Sequence, residues 1–367
     1  MTSDKSYDVK IDVVRFCAFF LVFFTHFVNR GGNALSETTM AWWNQDPIQH
    51  FADFGGQGVP IFFALTGFLL GRLLLRESKL FSTISISKFY ARRILRIWPL
   101  YFLFIAICFA ANPFASGTPA INSSEIPFLF TFTYNWGQIY SSLPGSMATI
   151  TWSISVEEQI YLIFPLLLSL TRKPKFKFVT FLFIFLGVLT LLLVDFGFLP
   201  YAERQTTSYL LPVGVGLFVA IYESTFRKHL IRKSWLTFVV AFFVIAYPWL
   251  FREFSSAGMR STTCMTLTSL YFVALLHLCD RFINQNIALA RAIGRIGRIS
   301  YGCYLYHWAV WMVMTGKEIL YTPTSGFSLL GVVVAFALTI TISEISYRYF
   351  ESWFLQKRKL YQRVVSP

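Results

Sequence analysis

The chain has 367 residues, of which 55% are hydrophobic, 19% aromatic and only 14% charged. Soluble proteins carry about 25% charged residues, so this composition excludes a soluble protein and predicts an all-α integral membrane protein. The net charge of +14 could suggest a nucleic-acid partner, but the Lys and Arg residues are spread over many segments instead of one basic domain. We therefore predict no nucleic-acid binding.

Apolar stretches long enough to cross a bilayer follow one another along the whole chain. A transmembrane helix needs about 20 mainly apolar residues, and stretches of this length predict a polytopic bundle of about ten transmembrane helices. We place them at residues 11–28, 58–75, 94–111, 150–170, 177–194, 207–222, 235–251, 261–279, 299–316 and 327–348.

The distribution of positive charge predicts the orientation of this bundle. With the N-terminus in the cytosol, the cytosolic segments hold all but five of the 32 Lys and Arg residues. Cytosolic loops carry such an excess, so both termini are expected in the cytosol. Residues 1–355 are predicted to form one transmembrane domain and residues 356–367 a basic cytosolic tail, which leaves any catalytic residues among the helices and their loops. The five cysteines lack metal-ligand spacing, and we predict no metal.

The first predicted span carries two ionisable side chains, Arg15 and His26, which are costly inside a membrane and are functional candidates for that reason. They are eleven residues apart, or three helical turns, so they share one face about 16 Å apart along the axis. Asp12 precedes Arg15 by three residues and can pair with it. The alternatives are a cytosolic anchor for Arg15 and an interfacial position for His26.

The fourth span begins with TWSISVEEQIYLIFP, which brings two carboxylates into an apolar helix. Glu157 and Tyr161 share a face by their spacing of four residues. Glu157 or Glu158 could orient and stabilise an imidazole, the role that a catalytic base requires of its partner. Tyr161 and Trp152 are candidate substrate-binding residues. The alternative is a hydrogen bond between helices, or a Glu at the outer interface.

The ninth span contains ISYGCYLYHWAVW, with His307 near mid-membrane and Tyr304 one turn before it. Both are candidate substrate-binding residues, and His307 could also relay protons. A buried histidine that donates to a neighbouring carbonyl is the structural alternative.

A cluster of arginines is predicted just ahead of the third span, in SKFYARRILRIWPLY. Arg92, Arg93 and Arg96 lie there, and Arg72 lies in the same loop or at its edge. Arginine forks suit phosphate oxygens, so this segment could hold a phosphorylated donor. Anionic lipid headgroups attract the same kind of cluster.

Several of these segments together resemble the acyltransferase-3 family, whose members O-acetylate lipopolysaccharide O-antigens, exopolysaccharides and other glycans. The resemblance runs in order from residue 12 to residue 351. Its segments are DVVRFCAFFLVFFTHF, GGQGVPIFFALTGFLLG, FYARRILRIWPLY, TWSISVEEQIYLIFPLL, ISYGCYLYHW and EISYRYFE.

The resemblance implies roles for particular residues. The family's Arg and His of the first helix fall on Arg15 and His26, its arginine-rich stretch falls on residues 92–96, and its Glu of the fourth span falls on Glu157. Its late Tyr-x-x-His matches Tyr304 and His307 less tightly. Thr66 stands where a Ser is common, which keeps the hydroxyl. Some relatives carry a fused soluble SGNH-type domain that this sequence lacks, so transfer would finish in the membrane domain or with a separate envelope partner protein.

The residues and the resemblance together predict a membrane-bound O-acyltransferase of the bacterial inner (plasma) membrane. Acetyl-CoA, or another acyl-CoA, would be the donor and a glycan or lipid-linked sugar the acceptor. His26 would act as general base or transient acyl carrier, and the sugar would enter between two predicted outer loops, residues 29–57 and 112–149. A secondary transporter is the alternative from another class. A membrane O-acyltransferase of the other large family, with His277 as its candidate, is the nearest enzyme alternative.

Overall fold

The computed structural model describes residues 8–28, 46–114, 120–143, 145–169, 175–230, 234–256, 261–316, 321–322 and 326–364. Helices dominate these residues, and one short antiparallel pair of strands joins β1, Tyr321–Thr322, to β2, Gly326–Phe327. The α-helices, in chain order, are α1 Val9–Val28, α2 Asp46–Phe54, α3 Gly58–Phe81, α4 Ile86–Ala111, α5 Ile126–Phe130, α6 Tyr134–Tyr140, α7 Trp152–Ser169, α8 Phe176–Asp195, α9 Leu210–Ile221, α10 Glu223–Leu230, α11 Ser234–Ser256, α12 Ser261–Phe282, α13 Ala288–Arg298, α14 Ser300–Gly316, α15 Leu329–Ser346 and α16 Ser352–Arg358.

A helix lies at each of the ten predicted spans. In the described part of the chain, six helical stretches are long and apolar enough to cross a bilayer by length and composition, and two shorter apolar helices accompany them. These six are Val9–Val28, His50–Phe81, Ile86–Ala111, Phe176–Asp195, Ser261–Phe282 and Leu329–Tyr361. The molecule is therefore a multi-pass membrane protein, while the number of about ten spans and the cytosolic termini stay predictions.

Large apolar side chains cover the outside of the bundle. On α8, Phe178, Phe181 and Phe185 are exposed along one helical face, and on α11 the same is true of Phe238 and Phe242. Because such residues would be buried in a soluble protein, their exposure fits a surface that faces lipid tails.

The arginines of the third span lie on a helix, so the prediction that they precede it is wrong. Helix α4 begins at Ile86, which places Arg92, Arg93 and Arg96 within its first three turns. Arg72 likewise lies on α3. Hydropathy detects only the part of a helix that is apolar, whereas Lys, Arg and Ala extend a helix readily beyond the membrane core.

Helix α1 is central, since it lies against α2, α3, α12, α13 and α14. Helices α3 and α9 cross in backbone contact at two glycines. A Cβ atom on Gly216 would lie 1.9 Å from the carbonyl oxygen of Ala64, and one on Gly67 would lie 2.1 Å from that of Val213. Small residues at a crossing allow this approach between membrane helices.

Candidate active site

Two histidines from opposite ends of the sequence meet at the centre of the bundle. Nδ1 of His26, on α1, lies 2.9 Å from Nε2 of His307, on α14. Their ring planes are inclined by 18°, and the ring centroids are 5.1 Å apart. His307 is fully buried, whereas His26 is partly exposed. The structure thus pairs the predicted catalytic histidine with a residue that was predicted to bind substrate.

The contacts of this pair indicate which nitrogen carries each proton. Nδ1 of His307 lies 3.2 Å from the carbonyl oxygen of Cys303, and because a carbonyl only accepts, this Nδ1 is the donor. In the neutral form, which burial favours, Nε2 of His307 then accepts a hydrogen bond from Nδ1 of His26. This arrangement leaves Nε2 of His26 with a lone pair, as a general base or a nucleophile requires.

Aromatic side chains enclose the histidine pair. The Trp308 ring lies edge-on to the His26 ring, with ring centroids 5.0 Å apart. The ring centroids of Tyr304 and His307 are 5.6 Å apart. The Tyr304 hydroxyl is hydrogen-bonded to Ser153 at 2.7 Å, which connects the pair to the start of α7. Trp308 and Ser153 were not singled out from the sequence, although each stands in a motif that was.

The loop segment between α4 and α7 supports Trp308. Trp308 Nε1 donates to the carbonyl oxygen of Ser146 at 3.0 Å, and Ser146 Oγ donates to the buried carboxylate of Glu125 at 2.7 Å. Tyr134 also donates to Glu125. Burial, followed by this hydrogen bond, raises the pKa of Tyr134. The described part of the second predicted outer loop is therefore anchored at the histidine pair, while residues 29–45 of the first lie outside the described residues.

Trp152 lies beside this region, under a guanidinium group. The Arg204 guanidinium stands 4.2 Å from the centre of the Trp152 ring. The centre of the Tyr209 ring, just before α9, lies 5.8 Å from that of Trp152. Asn135 donates to the Arg204 carbonyl at 3.0 Å. Trp152 is buried, with a guanidinium group over its ring, and its role in substrate binding stays a prediction.

A second cluster of polar residues surrounds Arg15, near the N-terminal end of α1. The predicted pair of Arg15 and Asp12 is confirmed. Helix α13 crosses α1 at this point, so closely that a Cβ atom on Gly297 would lie 1.7 Å from the carbonyl oxygen of Asp12. Arg96 of α4 interacts electrostatically with both Arg15 and Asp12.

Glu157 and Tyr161 belong to this second cluster. Their predicted contact is confirmed, because the Tyr161 hydroxyl donates to Glu157. Thr66 Oγ1 donates to the same carboxylate at 3.2 Å, which shows what the hydroxyl at position 66 does. The Arg93 guanidinium lies 5.1 Å from the centre of the Tyr161 ring.

The hydrogen bonds that the structure gives the two carboxylates of α7 go to residues other than the two histidines. Trp98 Nε1 donates to Glu158 at 3.0 Å, and the hydrogen bonds that the structure gives Glu157 go to Tyr161 and Thr66. The hydrogen bond that the structure gives His26 is with His307, and the stabilisation of an imidazolium at His26 by Glu157 or Glu158 stays a prediction. Sequence spacing within α7 could not reveal which way its polar face points.

Two of the four arginines predicted to bind the donor are engaged by carboxylates. Arg72 lies 3.2 Å from Glu223 and 3.8 Å from Asp8. Arg92 lies 3.3 Å from the fully buried Glu77. The candidates that remain beside Arg15 are Arg93 and Arg96. In the described part of the chain, no three His, Cys, Asp or Glu side chains are grouped so that they could hold a metal ion.

A multi-pass bundle with ionisable side chains at its centre is typical of membrane enzymes and of transporters, and comparison with known proteins decides between these classes. A family model described as an acyltransferase domain, that of the acyltransferase-3 family, matches residues 8–347. The chain belongs to this family and is an acyltransferase.

Similar proteins agree with this assignment. A Bacillus subtilis protein named "Putative peptidoglycan O-acetyltransferase" is 24% identical over 329 residues, which are 82% of this chain and 51% of that protein. A Staphylococcus aureus protein named "Putative O-acetyltransferase" is 24% identical over 333 residues, 82% of this chain and 52% of that protein. The chain thus spans about half the length of these two relatives. An "Uncharacterized protein" of Haemophilus influenzae is 33% identical over 194 residues, 47% of this chain and 78% of that protein. No solved structure matches the chain.

Proposed function

We propose that the protein transfers an acetyl group from cytosolic acetyl-CoA to a hydroxyl group of a cell-envelope or exported glycan, with His26 at the site of transfer. The hydrogen bond between His26 and His307 carries this proposal, because it holds the His26 ring and places the proton on Nδ1, so that Nε2 carries the lone pair of a base. Membership of the acyltransferase-3 family and relatives named as O-acetyltransferases support the reaction class.

The reaction needs one base and no change of oxidation state. Nε2 of His26 takes the proton of the acceptor hydroxyl while its oxygen attacks the thioester carbonyl. A C–O bond forms, the C–S bond breaks, and the thiolate that leaves takes the proton back from His26, so that the products are the O-acyl glycan and free CoA. In the variant with an acyl-histidine, Nε2 first attacks the thioester carbonyl, so that a C–N bond forms and the C–S bond breaks to release the CoA thiolate. The acceptor hydroxyl then attacks this acyl group, a C–O bond forms as the C–N bond breaks, and the hydroxyl proton goes to the thiolate.

The proposed site for the CoA phosphates and the proposed site of transfer lie at different positions along α1. Arg15, Arg93 and Arg96 lie where the phosphates of CoA would be held from the cytosol, and His26 lies about 16 Å further along the helix. The long pantetheine arm of CoA would cover this separation and bring the thioester to His26. Such a separation lets a cytosolic donor serve an acceptor on the other side of the inner membrane.

The acceptor is proposed to approach from the loop side of the histidine pair, across Trp152 and Tyr304. The printed name of the Bacillus subtilis relative mentions peptidoglycan, which makes a cell-envelope glycan the first acceptor to examine. An envelope partner protein could then carry the product onward.

The test compares two histidines on different helices. In cells that lack the gene, complementation with His26→Ala is expected to restore less than about one hundredth of the wild-type acetylation, because general bases contribute about 10²- to 10⁴-fold. Mass spectrometry of the surface glycans measures the acetyl increment, and membrane protein levels are checked by immunoblot.

His277→Ala is the matched control, because His277, on α12, forms a hydrogen bond with Thr237 of α11 at 3.2 Å and takes no part in the histidine pair. This variant is expected to restore full acetylation. Full acetylation with His26→Ala, or its loss with His277→Ala alone, would refute the proposal.

A further inference from the structure

Three arginines, Arg93, Arg96 and Arg358, stand together at the Arg15 end of the bundle. None of them makes a salt bridge with a carboxylate among the described residues, although Glu157 interacts electrostatically with Arg93, and Asp12 and Glu351 do so with Arg96. Arg93 and Arg358 each have a buried Nε atom that lacks a hydrogen bond. Arg96 makes no hydrogen bond or ion pair with any residue that the structure describes. Arg358 interacts electrostatically with Arg96, Arg93 and Arg15. Repulsion between these guanidinium groups is unfavourable, and an anion bound among them would reduce it.

Arg358 comes from the segment that the sequence predicts to be a basic tail. Its helix, α16, packs on α4, and the following turn does the same. Arg92 Nη1 donates to the carbonyl oxygen of Tyr361 at 2.8 Å, and Arg363 lies 3.1 Å from Glu77. Glu77 therefore binds one arginine of α4 and one of the C-terminal segment, and this double ion pair holds α16 in place.

This docking brings a positive charge to a cluster that is already positive. A segment held only by apolar contacts would be expected to turn such a side chain toward water, yet Arg358 is partly buried with its Nε unsatisfied. Guanidinium groups bind phosphate oxygens through paired, charge-assisted hydrogen bonds. The unsatisfied Nε atoms of Arg93 and Arg358 are donors of this kind.

We propose that Arg358 completes, with Arg93 and Arg96, a binding site for the phosphate groups of the nucleotide donor. The inference rests on the proposed function, because it takes acyl-CoA to be that donor. Arg358 is thus a donor-binding residue supplied by the C-terminal segment, distant from the site of chemistry at His26.

The test measures binding and stability separately from transfer. Wild-type protein in phosphatidylcholine nanodiscs is titrated with coenzyme A and with inorganic pyrophosphate by calorimetry, and thermal unfolding is recorded with and without each ligand. Arg358→Gln removes the positive charge. Arg358→Lys keeps the charge but lacks the paired N–H donors of the guanidinium group. Lys357→Gln is the matched control, since it removes a neighbouring exposed cation that lies 3.6 Å from the centre of the Trp353 ring.

Arg358→Gln is expected to weaken coenzyme A binding about tenfold or more, as the loss of a charge-assisted hydrogen bond does. Arg358→Lys is expected to fall between this variant and the wild type, and Lys357→Gln to bind like the wild type. Because repulsion is relieved, Arg358→Gln without ligand should unfold at the same temperature as the wild type or at a higher one. A merely structural arginine would lower that temperature.

Equal affinity of wild type and Arg358→Gln for both ligands would overturn the proposal, as would equal losses in Lys357→Gln. A dependence on Arg358 that appears only when anionic lipid is added would assign the site to a lipid headgroup and overturn the donor assignment. Loss of coenzyme A binding in Arg358→Gln, together with absent acetyl transfer by the wild type, would support the site and refute the proposed function.

Discussion

At the scale of single residues, the two histidines of the pair differ in their surroundings: His307 is held in a fixed orientation by the protein, and His26 is accessible to a substrate. His307 is fully buried and bonds to a carbonyl of its own helix, so its orientation and its proton are determined by the protein. His26 is partly exposed and can meet a substrate. A base that must be both accessible and oriented gains from a buried partner that orients it.

This difference predicts different results for two substitutions of His307. His307→Ala should lower the rate of acetyl transfer about 10²-fold, because a reacting group displaced by about 1 Å loses that much. His307→Gln, whose side-chain carbonyl can accept the His26 proton, should recover part of that loss. The measurement is the initial rate with purified membranes and radiolabelled acetyl-CoA.

The pH dependence of kcat in the His307 variants distinguishes a role of His307 in orienting His26 from a general loss of structure. If His307 orients the base, His307→Gln should shift the pH dependence of kcat and leave the KM for acetyl-CoA close to that of the wild type. Equal rates for the wild type and both variants would exclude a positioning role for His307.

Much of the candidate site at this scale could be predicted because ionisable residues in apolar spans are few. Arg15, Asp12 and the contact of Glu157 with Tyr161 follow from spacing on one helix. The meeting of His26 with His307 could not be predicted this way, since it joins positions 281 residues apart. The hydrogen-bond partners of Glu157 and Glu158 depend on how α7 is rotated, which spacing on α7 does not determine.

At the scale of elements, apolar stretches located helices correctly but missed how far these helices extend beyond the predicted spans. Helix α4 begins eight residues before its predicted span, and α16 follows α15 after a π-helical turn, Tyr347–Glu351. Both extensions are polar, so hydropathy does not detect them. They are also the elements that bring Arg92, Arg93, Arg96 and Arg358 together.

The crossing of α3 and α9 gives a prediction at the same scale. Gly216→Ala would place a Cβ atom against the backbone of Ala64 and Phe68. Overpacking of this kind costs about 1–3 kcal/mol, so the variant should unfold in detergent at a clearly lower temperature than the wild type.

Gly56→Ala is the control for this crossing, because a Cβ atom there has no neighbour within 4 Å. It should leave the unfolding temperature unchanged. If both variants unfold like the wild type, the backbones of α3 and α9 are not in contact.

At the scale of the whole molecule, the predicted orientation can be tested at two exposed positions. Tyr140 on α6 is 68% exposed and Leu360 after α16 is 79% exposed. In a background without the five native cysteines, Tyr140→Cys should react with a membrane-impermeant maleimide on intact spheroplasts. Leu360→Cys should react only after the membrane is permeabilised.

Both positions labelled in intact spheroplasts would contradict a cytosolic C-terminus. Labelling of Leu360→Cys alone would invert the whole arrangement, and with it the side from which acyl-CoA enters. Detection of both proteins in the membrane fraction is the control for expression.

The link between α1 and α14 also bears on how the protein is made. Helix α1 is synthesised first, yet its histidine acquires its partner only when α14 has entered the bilayer. A chain still on the ribosome, or one cut short before residue 300, therefore lacks the partner that orients His26. Under the proposed function, catalytic competence is thus a late event of biogenesis.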